Sequence, residues 1–272
     1  MPLPALPLSK TSYTTQPKTT SWLGRILPSL CFYIKLIWLV CSQSRRANAG
    51  CYTGADWAFG SLHVLHALEE SGVQVQVEGV EHFLNIEGPC VFVGNHMSTM
   101  ETMVLPCLIQ PLREVTFVTK KELAEMPIFG AILRTRNPIT VGRTNPREDL
   151  SAMLDGGAER LASGSSLIIF PQSTRSATFD PAKFNSIGIK VARKAGVPVV
   201  PVALLTDAWG VGSIAKDFGP INPARPVRIA FGAPLYIAGQ GKEEHAAVCA
   251  FIEEKLAQWA GHDAQPKSIA AS

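Results

Sequence analysis

The chain has 272 residues, 46% of them hydrophobic and 17% charged, with a formal net charge of +3. That length supports one sizeable core plus an accessory segment, and the charge excess is too small to mark a nucleic-acid binder. Six cysteines (Cys31, Cys41, Cys51, Cys90, Cys107 and Cys249) show neither a C-x-x-C pair nor ligand-like spacing with histidine. Buried free thiols in a reducing cytosol are expected, rather than a disulfide framework or a metal site.

Residues 1–20 are rich in Pro, Thr, Ser and Lys without periodicity, which predicts a disordered tail. From Trp22 to Val40 the composition turns apolar, but Pro28 and Lys35 interrupt the run. It falls short of the roughly 20 apolar residues that a spanning helix needs. Trp22, Tyr33 and Trp38 suit headgroup depth, and Lys35, Arg45 and Arg46 suit lipid phosphates, so an interfacial or shallowly embedded helix is expected. Ala47-Asn48-Ala49 resembles a cleavage site. The leading segment is too long for a secretory signal, however, and Arg45-Arg46 lies between the apolar run and that site. Asp56 to Ser71 reads as a second helix closed by Gly72, completing an amino-terminal membrane-associating helical segment over 21–72. His63 and His66 on it have no carboxylate or cysteine at ligand spacing and are read as packing or surface residues.

From residue 73 to 261 short strand-like runs alternate with helical ones. The expected strands are Val73–Val77, Val91–Gly94, Val115–Thr119, Ile139–Val141, Ser166–Phe170, Val199–Leu204 and Val227–Phe231. Asn145-Pro146 opens a helix ending near Gly164, Phe184–Ala195 forms another, and Glu243–Ala260 the last. This alternation predicts an α/β domain with a mixed, largely parallel sheet flanked by helices. Residues 262–272 are expected to be a flexible tail.

Asn95-His96-Met97-Ser98-Thr99-Met100-Glu101 follows the apolar run Val91–Gly94, which places an imidazole at a strand end where a helix begins. Five residues separate His96 from Glu101, so their side chains meet only if the backbone turns between them. A carboxylate on one ring nitrogen would fix the tautomer and raise the basicity of the other, giving a general base. Ser98-x-x-Glu101 also fits a capping box, and on this stretch alone capping is the stronger reading.

Other segments weigh towards chemistry. Between Arg113 and Arg147 lie seven basic residues against three acidic ones, an excess of four, with Lys120, Lys121 and Arg143 at apparent strand ends. Open α/β sheets bind ligands outside those ends. Phe170-Pro171-Gln172-Ser173-Thr174-Arg175-Ser176 also follows an apolar strand and surrounds one guanidinium with hydroxyl side chains. Arg175 suits phosphate, with Ser173 and Thr174 as neutral donors. A solvated basic surface and an ordinary serine-rich turn would read the same way.

Taken together and in order, these blocks resemble the glycerolphosphate and lysophospholipid acyltransferases. Asn95-His96-x-Ser98-x-x-Glu101 resembles their N-H-x-S-x-x-D motif. Lys121-Glu122-Leu123, Pro127, Gly130 and Ile139-x-Val141-x-Arg143 look like their second block, Phe170–Ser176 like F-P-E-G-T-R-S, and Val197–Val202 like a V-P-(I/V)-(I/V)-P-V run. The resemblance implies transfer of a fatty acyl group from acyl-CoA or acyl carrier protein, as co-substrate and without a further cofactor, to a hydroxyl of a lysophospholipid-like acceptor. It implies a base at His96, oriented by Glu101. Lys120, Lys121, Arg143, Ser173, Thr174 and Arg175 would hold anionic substrate groups. The implied partners are the lipid acceptor, the thioester donor and a membrane surface at its cytoplasmic face, with no nucleic acid. Two departures stand out: Glu101 replaces aspartate, and Gln172-Ser173 replaces Glu-Gly, turning an expected acidic acceptor contact neutral. A non-catalytic lipid-binding scaffold and a thioester hydrolase are the rival readings, the latter weakened because no G-x-S-x-G elbow is present.

Overall fold

A computed structural model of the protein describes residues 11–16, 24, 26–142, 145–172, 174–213 and 215–264. Its centre is an eight-stranded sheet with spatial order β1-β2-β8-β7-β3-β6-β4-β5. In chain order the strands are β1 (Tyr13–Thr14), β2 (Val75–Glu78), β3 (Val91–Gly94), β4 (Val115–Lys120), β5 (Ile139–Val141), β6 (Ser166–Ile169), β7 (Val199–Leu205) and β8 (Val227–Phe231). Five of the seven pairings are parallel; β1–β2 and β7–β8 are antiparallel. The mixed, largely parallel sheet predicted from alternation is therefore observed, with strand ends shifted by at most two residues.

The interior strands are short, β-branched and buried on both faces, as parallel strands between helical layers must be. Alternation along β3 divides the core: Phe92 joins a layer with Phe32, Leu65, Leu105 and Trp209, while Val91 and Val93 join Leu161, Val191 and Ile252 on the other side. The first layer is covered by α1 (Pro28–Asn48), α2 (Gly54–Glu70) and, after the short α3 (Glu81–Leu84), α4 (Met100–Ile109). Two small helices, α5 (Lys121–Glu125) and α6 (Phe129–Thr135), follow β4. The second layer carries α7 (Pro146–Ala162), α8 (Ile187–Ala195) and α9 (Lys242–Ala264).

Four expectations need correction. Part of the supposed tail is a strand: Tyr13 pairs with Val77 and Thr14 with Gln76. The hydroxyls that suggested disorder serve the buried carboxylate of Glu69, which accepts from Tyr13 Oη and, at 2.7 Å, from Thr15 Oγ1. Residues 1–10 and 17–20 lie outside the described residues. At the other end α9 continues through 262 to Ala264, so only 265–272, also outside the described residues, are left of the expected tail.

The aromatic and basic anchors of the first helix divide differently from expectation. Trp38 does point outward, but Tyr33 faces inward and donates from Oη to Gly219 O at 2.5 Å. Lys35 pairs with Glu70 and Arg46 with Asp56, while Trp22 lies outside the described residues. Finally, all six cysteines are free, but not all are buried: Cys51 is exposed, and burial pushes the enclosed Cys107 thiol up to about 12.

Helix α1 buries Phe32, Leu36 and Leu39 and turns Leu30, Ile34, Ile37 and Trp38 to the outside. Among the described residues no helix is long and apolar enough to cross a membrane.

Candidate active site

Strand β3 delivers the site. At its end a Cβ on Gly94 would lie 2.9 Å from Val202 O, so glycine permits the close approach of β7 there. Asn95 then prolongs the pairing through its side chain: Nδ2 donates to Leu204 O at 2.8 Å and Oδ1 accepts from Leu204 N at 2.9 Å. His96 follows immediately, fixed by this extra rung.

The chain turns over residues 96–99 and enters α4, bringing Glu101 under the histidine. His96 Nδ1 lies 3.0 Å from Glu101 Oε2. A carboxylate at that distance places the proton on Nδ1 and leaves the Nε2 lone pair available. Glu101 is wholly buried, and its oxygens are saturated with donors. Oε1 accepts from Met97 N and Ser98 N, both at 2.9 Å, and from the Thr206 hydroxyl; Oε2 also accepts from Ser98 N at 3.1 Å. Buried charge is tolerated when it is paired in this way. Glu101 thus orients the histidine and also takes the backbone donors just ahead of α4, while Ser98 Oγ accepts from Met100 N, so the expected capping box is only half formed.

The segment after β6 closes the other side. Phe170 stacks on the His96 ring, with centroids 4.6 Å apart and planes 9° apart. Gln172 Oε1 accepts from His96 N at 2.6 Å, and Ser176 N donates to His96 O at 2.9 Å. The neutral residue that stands where an acidic acceptor contact was expected is thus engaged within the protein. Gln172 is buried and directs its carbonyl at the His96 backbone, a task for which no charge is needed.

Arg175 donates from Nη1 to Thr99 Oγ1 and holds Asp217 Oδ1 at 2.6 Å through Nη2. Asp217 belongs to the loop between β7 and β8, and its Oδ1 also lies 3.3 Å from Thr99 Oγ1. The remaining basic candidates are less central. Lys120 is exposed at the end of β4, on the same sheet edge, while Lys121 faces Glu125 at 3.9 Å on the surface of α5. Thr174 is exposed; Arg143 and Ser173 lie outside the described residues. Thr206, Asp217 and the pairing role of Asn95 were not singled out from the sequence.

An apolar slot of ≈ 80 Å³ runs between α1, α2, α4, α6 and β4, lined by Leu39, Trp57, Val64, Met103, Phe117 and Ile132 and not by His96 itself. Its wall residue Phe117 stacks on Phe170, with ring centroids 6.2 Å apart, which links the slot to the imidazole. The Ser98 hydroxyl is engaged within the protein: it donates to Thr206 Oγ1 at 3.1 Å and accepts from Met100 N at 3.1 Å. Among the described residues no three His, Cys, Asp or Glu side chains gather as metal ligands. The constellation can therefore remove a proton from an incoming hydroxyl beside a cation and an apolar slot.

Comparison with known proteins adds a second line. A family model described as Acyltransferase matches residues 74–205. A 1-acyl-sn-glycerol-3-phosphate acyltransferase of Pseudomonas aeruginosa is 31% identical over 193 residues, covering 69% of this chain and 71% of that protein. A chloroplastic protein of the same description from Arabidopsis thaliana is 30% identical over 165 residues, 60% of this chain but 44% of the relative. The crystal structure of the 1-acyl-sn-glycerophosphate (LPA) acyltransferase PlsC from Thermotoga maritima superposes with a TM-score of 0.64, covering 88% of this chain and 96% of that one. At 20% identity that last likeness concerns the fold.

Proposed function

Since the chain belongs to the acyltransferase family of 1-acyl-sn-glycerol-3-phosphate acyltransferases, we propose that it moves a fatty acyl group from acyl-CoA or acyl carrier protein to the free hydroxyl of a lysophospholipid. In this reading His96 Nε2 takes the proton of the acceptor hydroxyl as its oxygen attacks the thioester carbonyl carbon. The C–S bond then breaks, the ester forms, and the departing thiolate takes the proton back from the imidazolium. Glu101 holds Nδ1–H and stabilises the transient charge, a positioned general base being worth ~10²–10⁴ in rate. No acyl-enzyme is needed, consistent with the engaged Ser98 hydroxyl.

Arg175 holds the acceptor phosphate in this reading, through its paired donors. The apolar slot behind Phe170 takes part of an acyl chain. The outward face of α1, with Leu30, Ile34, Ile37 and Trp38, lies against the lipid surface that supplies the acceptor. The observation that carries the proposal is the 3.0 Å contact between His96 Nδ1 and Glu101 Oε2.

The test is acceptor-dependent release of CoA thiol with mass detection of the acylated product. His96→Ala is expected to lose at least about two orders of magnitude in turnover while its melting midpoint stays near that of the parent. Near-normal turnover in that variant overturns the assignment. Thiol release without any lysolipid would indicate hydrolysis instead.

A further inference from the structure

The segment joining β7 to β8 folds back on itself as a narrow tongue. Asn222 N donates to Ala208 O at 2.8 Å and Gly210 N to Pro220 O at 2.9 Å, while Trp209 bridges to Ile221, so the two limbs run side by side. Nearer the tip, Gly212 N donates to Lys216 O at 3.4 Å and Phe218 N to Ala215 O at 2.9 Å. Glycine is required where the limbs touch: a Cβ on Gly219 would run into the Gly210 carbonyl, and one on Gly212 into the carbonyls of Ala215 and Phe218. The tongue is therefore compact and held in shape by its own backbone.

Its two sides differ in chemistry. Asp217 faces the site, with Oδ1 2.6 Å from Arg175 Nη2. Val211 and Phe218 turn outward and are 57% and 56% exposed, and Lys216 is exposed at the tip. These apolar side chains are not isolated. The Phe218 and Tyr33 rings meet at 5.8 Å, Tyr33 Oη donates to Gly219 O, and Ile221 N donates to Ser29 Oγ at 2.9 Å. Those ties set the tongue beside the outward Leu30 and Ile34 of α1, so exposed apolar surface continues from helix to tongue. A contiguous patch of this kind marks an interaction surface, whereas single exposed residues do not.

We propose that this tongue is a second lipid contact: Val211 and Phe218 enter the surface of an anionic bilayer beside α1, with Lys216 at the headgroups. The proposal rests on the reading of the outward α1 face as lipid-facing. Two observations favour a bilayer over a protein partner. The patch continues the α1 face, and its charged member is a lysine, a residue that protein interfaces deplete and anionic headgroups attract. A second contact does what one helix cannot. A lone helix can roll about its axis on a surface, whereas a helix and a tongue joined to it fix one plane. Because Asp217 adjoins Phe218 in the chain and touches Arg175, that plane brings the Arg175 side of the site to the level of the headgroups. A lysophospholipid then presents its hydroxyl to His96 from the bilayer surface.

The experiment joins co-sedimentation with vesicles of equal parts phosphatidylethanolamine and phosphatidylglycerol to steady-state kinetics on two lysophospholipid acceptors. One acceptor is carried in those vesicles; the other is short-chained and dissolved as monomers. Val211→Asp with Phe218→Asp is expected to weaken sedimentation by at least about tenfold, the scale of one buried aromatic side chain. The apparent KM for the vesicle-borne acceptor should rise by a similar factor. The kcat/KM for the monomeric acceptor and the melting midpoint should stay at parental values. Val211→Asp alone leaves the Phe218–Tyr33 contact in place, is expected to move the same readouts the same way, and keeps the test decisive if the double variant unfolds. Unchanged sedimentation with unchanged vesicle KM overturns the proposal. So does an equal loss on both acceptors, which would put the tongue's role at the site and not at the lipid. Ile34→Asp with Trp38→Asp, run alongside, keeps the two readings apart. If neither double variant loses vesicles, the lipid-facing reading of α1 itself fails; if only the α1 variant does, only the tongue's role fails.

Discussion

His96 and Phe170 lie as parallel plates, 4.6 Å between centroids and 9° between planes, so the imidazole is held by a carboxylate at its edge and a benzene ring at its face. The two restraints act on different degrees of freedom: Glu101 fixes the tautomer, and Phe170 fixes the ring plane.

Removing the plate should blur orientation without removing the base. Aromatic pairs of this kind are worth about 0.5–1.5 kcal/mol beyond their area. If that energy is spent on aligning Nε2, Phe170→Leu should lower kcat by about threefold to tenfold, with a smaller effect on acceptor KM. Single-turnover measurement of acyl transfer checks this. An unchanged kcat would mean that Glu101 alone orients the ring.

The carboxylate at 101 should resist even isosteric change. Glu101→Gln keeps the shape but replaces an acceptor-only oxygen with an N–H₂ group facing Met97 N, Ser98 N and the Thr206 hydroxyl, or else the His96 ring. Loss of the oriented base predicts a fall of ~10²–10⁴ in turnover. The lost hydrogen bonds predict a destabilisation of about 1–3 kcal/mol. Thr206→Val removes one buried hydroxyl from the same network and is expected to cost about 1–3 kcal/mol as well, because Ser98 loses its acceptor. Denaturant unfolding of both variants alongside turnover tests whether stability and rate fall together at 101.

On α1 the outward residues are expected to matter for lipid and not for folding. Ile34 and Trp38 are 60% and 71% exposed, so charging them breaks little internal packing. Ile34→Asp with Trp38→Asp should weaken co-sedimentation with anionic phospholipid vesicles at least tenfold and leave the melting midpoint nearly unchanged. Equal sedimentation of variant and parent would mean that another surface meets the lipid.

The sheet was legible because its strands are brief, mostly β-branched runs between helices, and apolar runs of that length suit strands covered on both faces. The meeting of His96 and Glu101 was legible for a different reason: five residues admit contact only through a turn, and the strand-then-helix pattern supplies one. What stayed hidden is long-range and polar. Thr206 is one hydroxyl after an apolar strand, and nothing local announces that it reaches a carboxylate 105 positions earlier. Asp217 lies in a loop without periodicity, and its partner is known only once β7 and β6 are placed about β3. Tyr13 and Thr15 were misread because polar composition argues for disorder unless a buried acid, here Glu69, is waiting for the hydroxyls.

The side chain of Asn95 has a wider consequence. By pairing with both backbone groups of Leu204 it makes the seat of the imidazole part of the central β3–β7 ladder, among the last regions to open when a domain breathes. The base cannot wander unless the middle of the domain unzips. Damage to distant core packing should therefore reduce how many molecules are competent at a given moment, while each competent molecule keeps its full turnover.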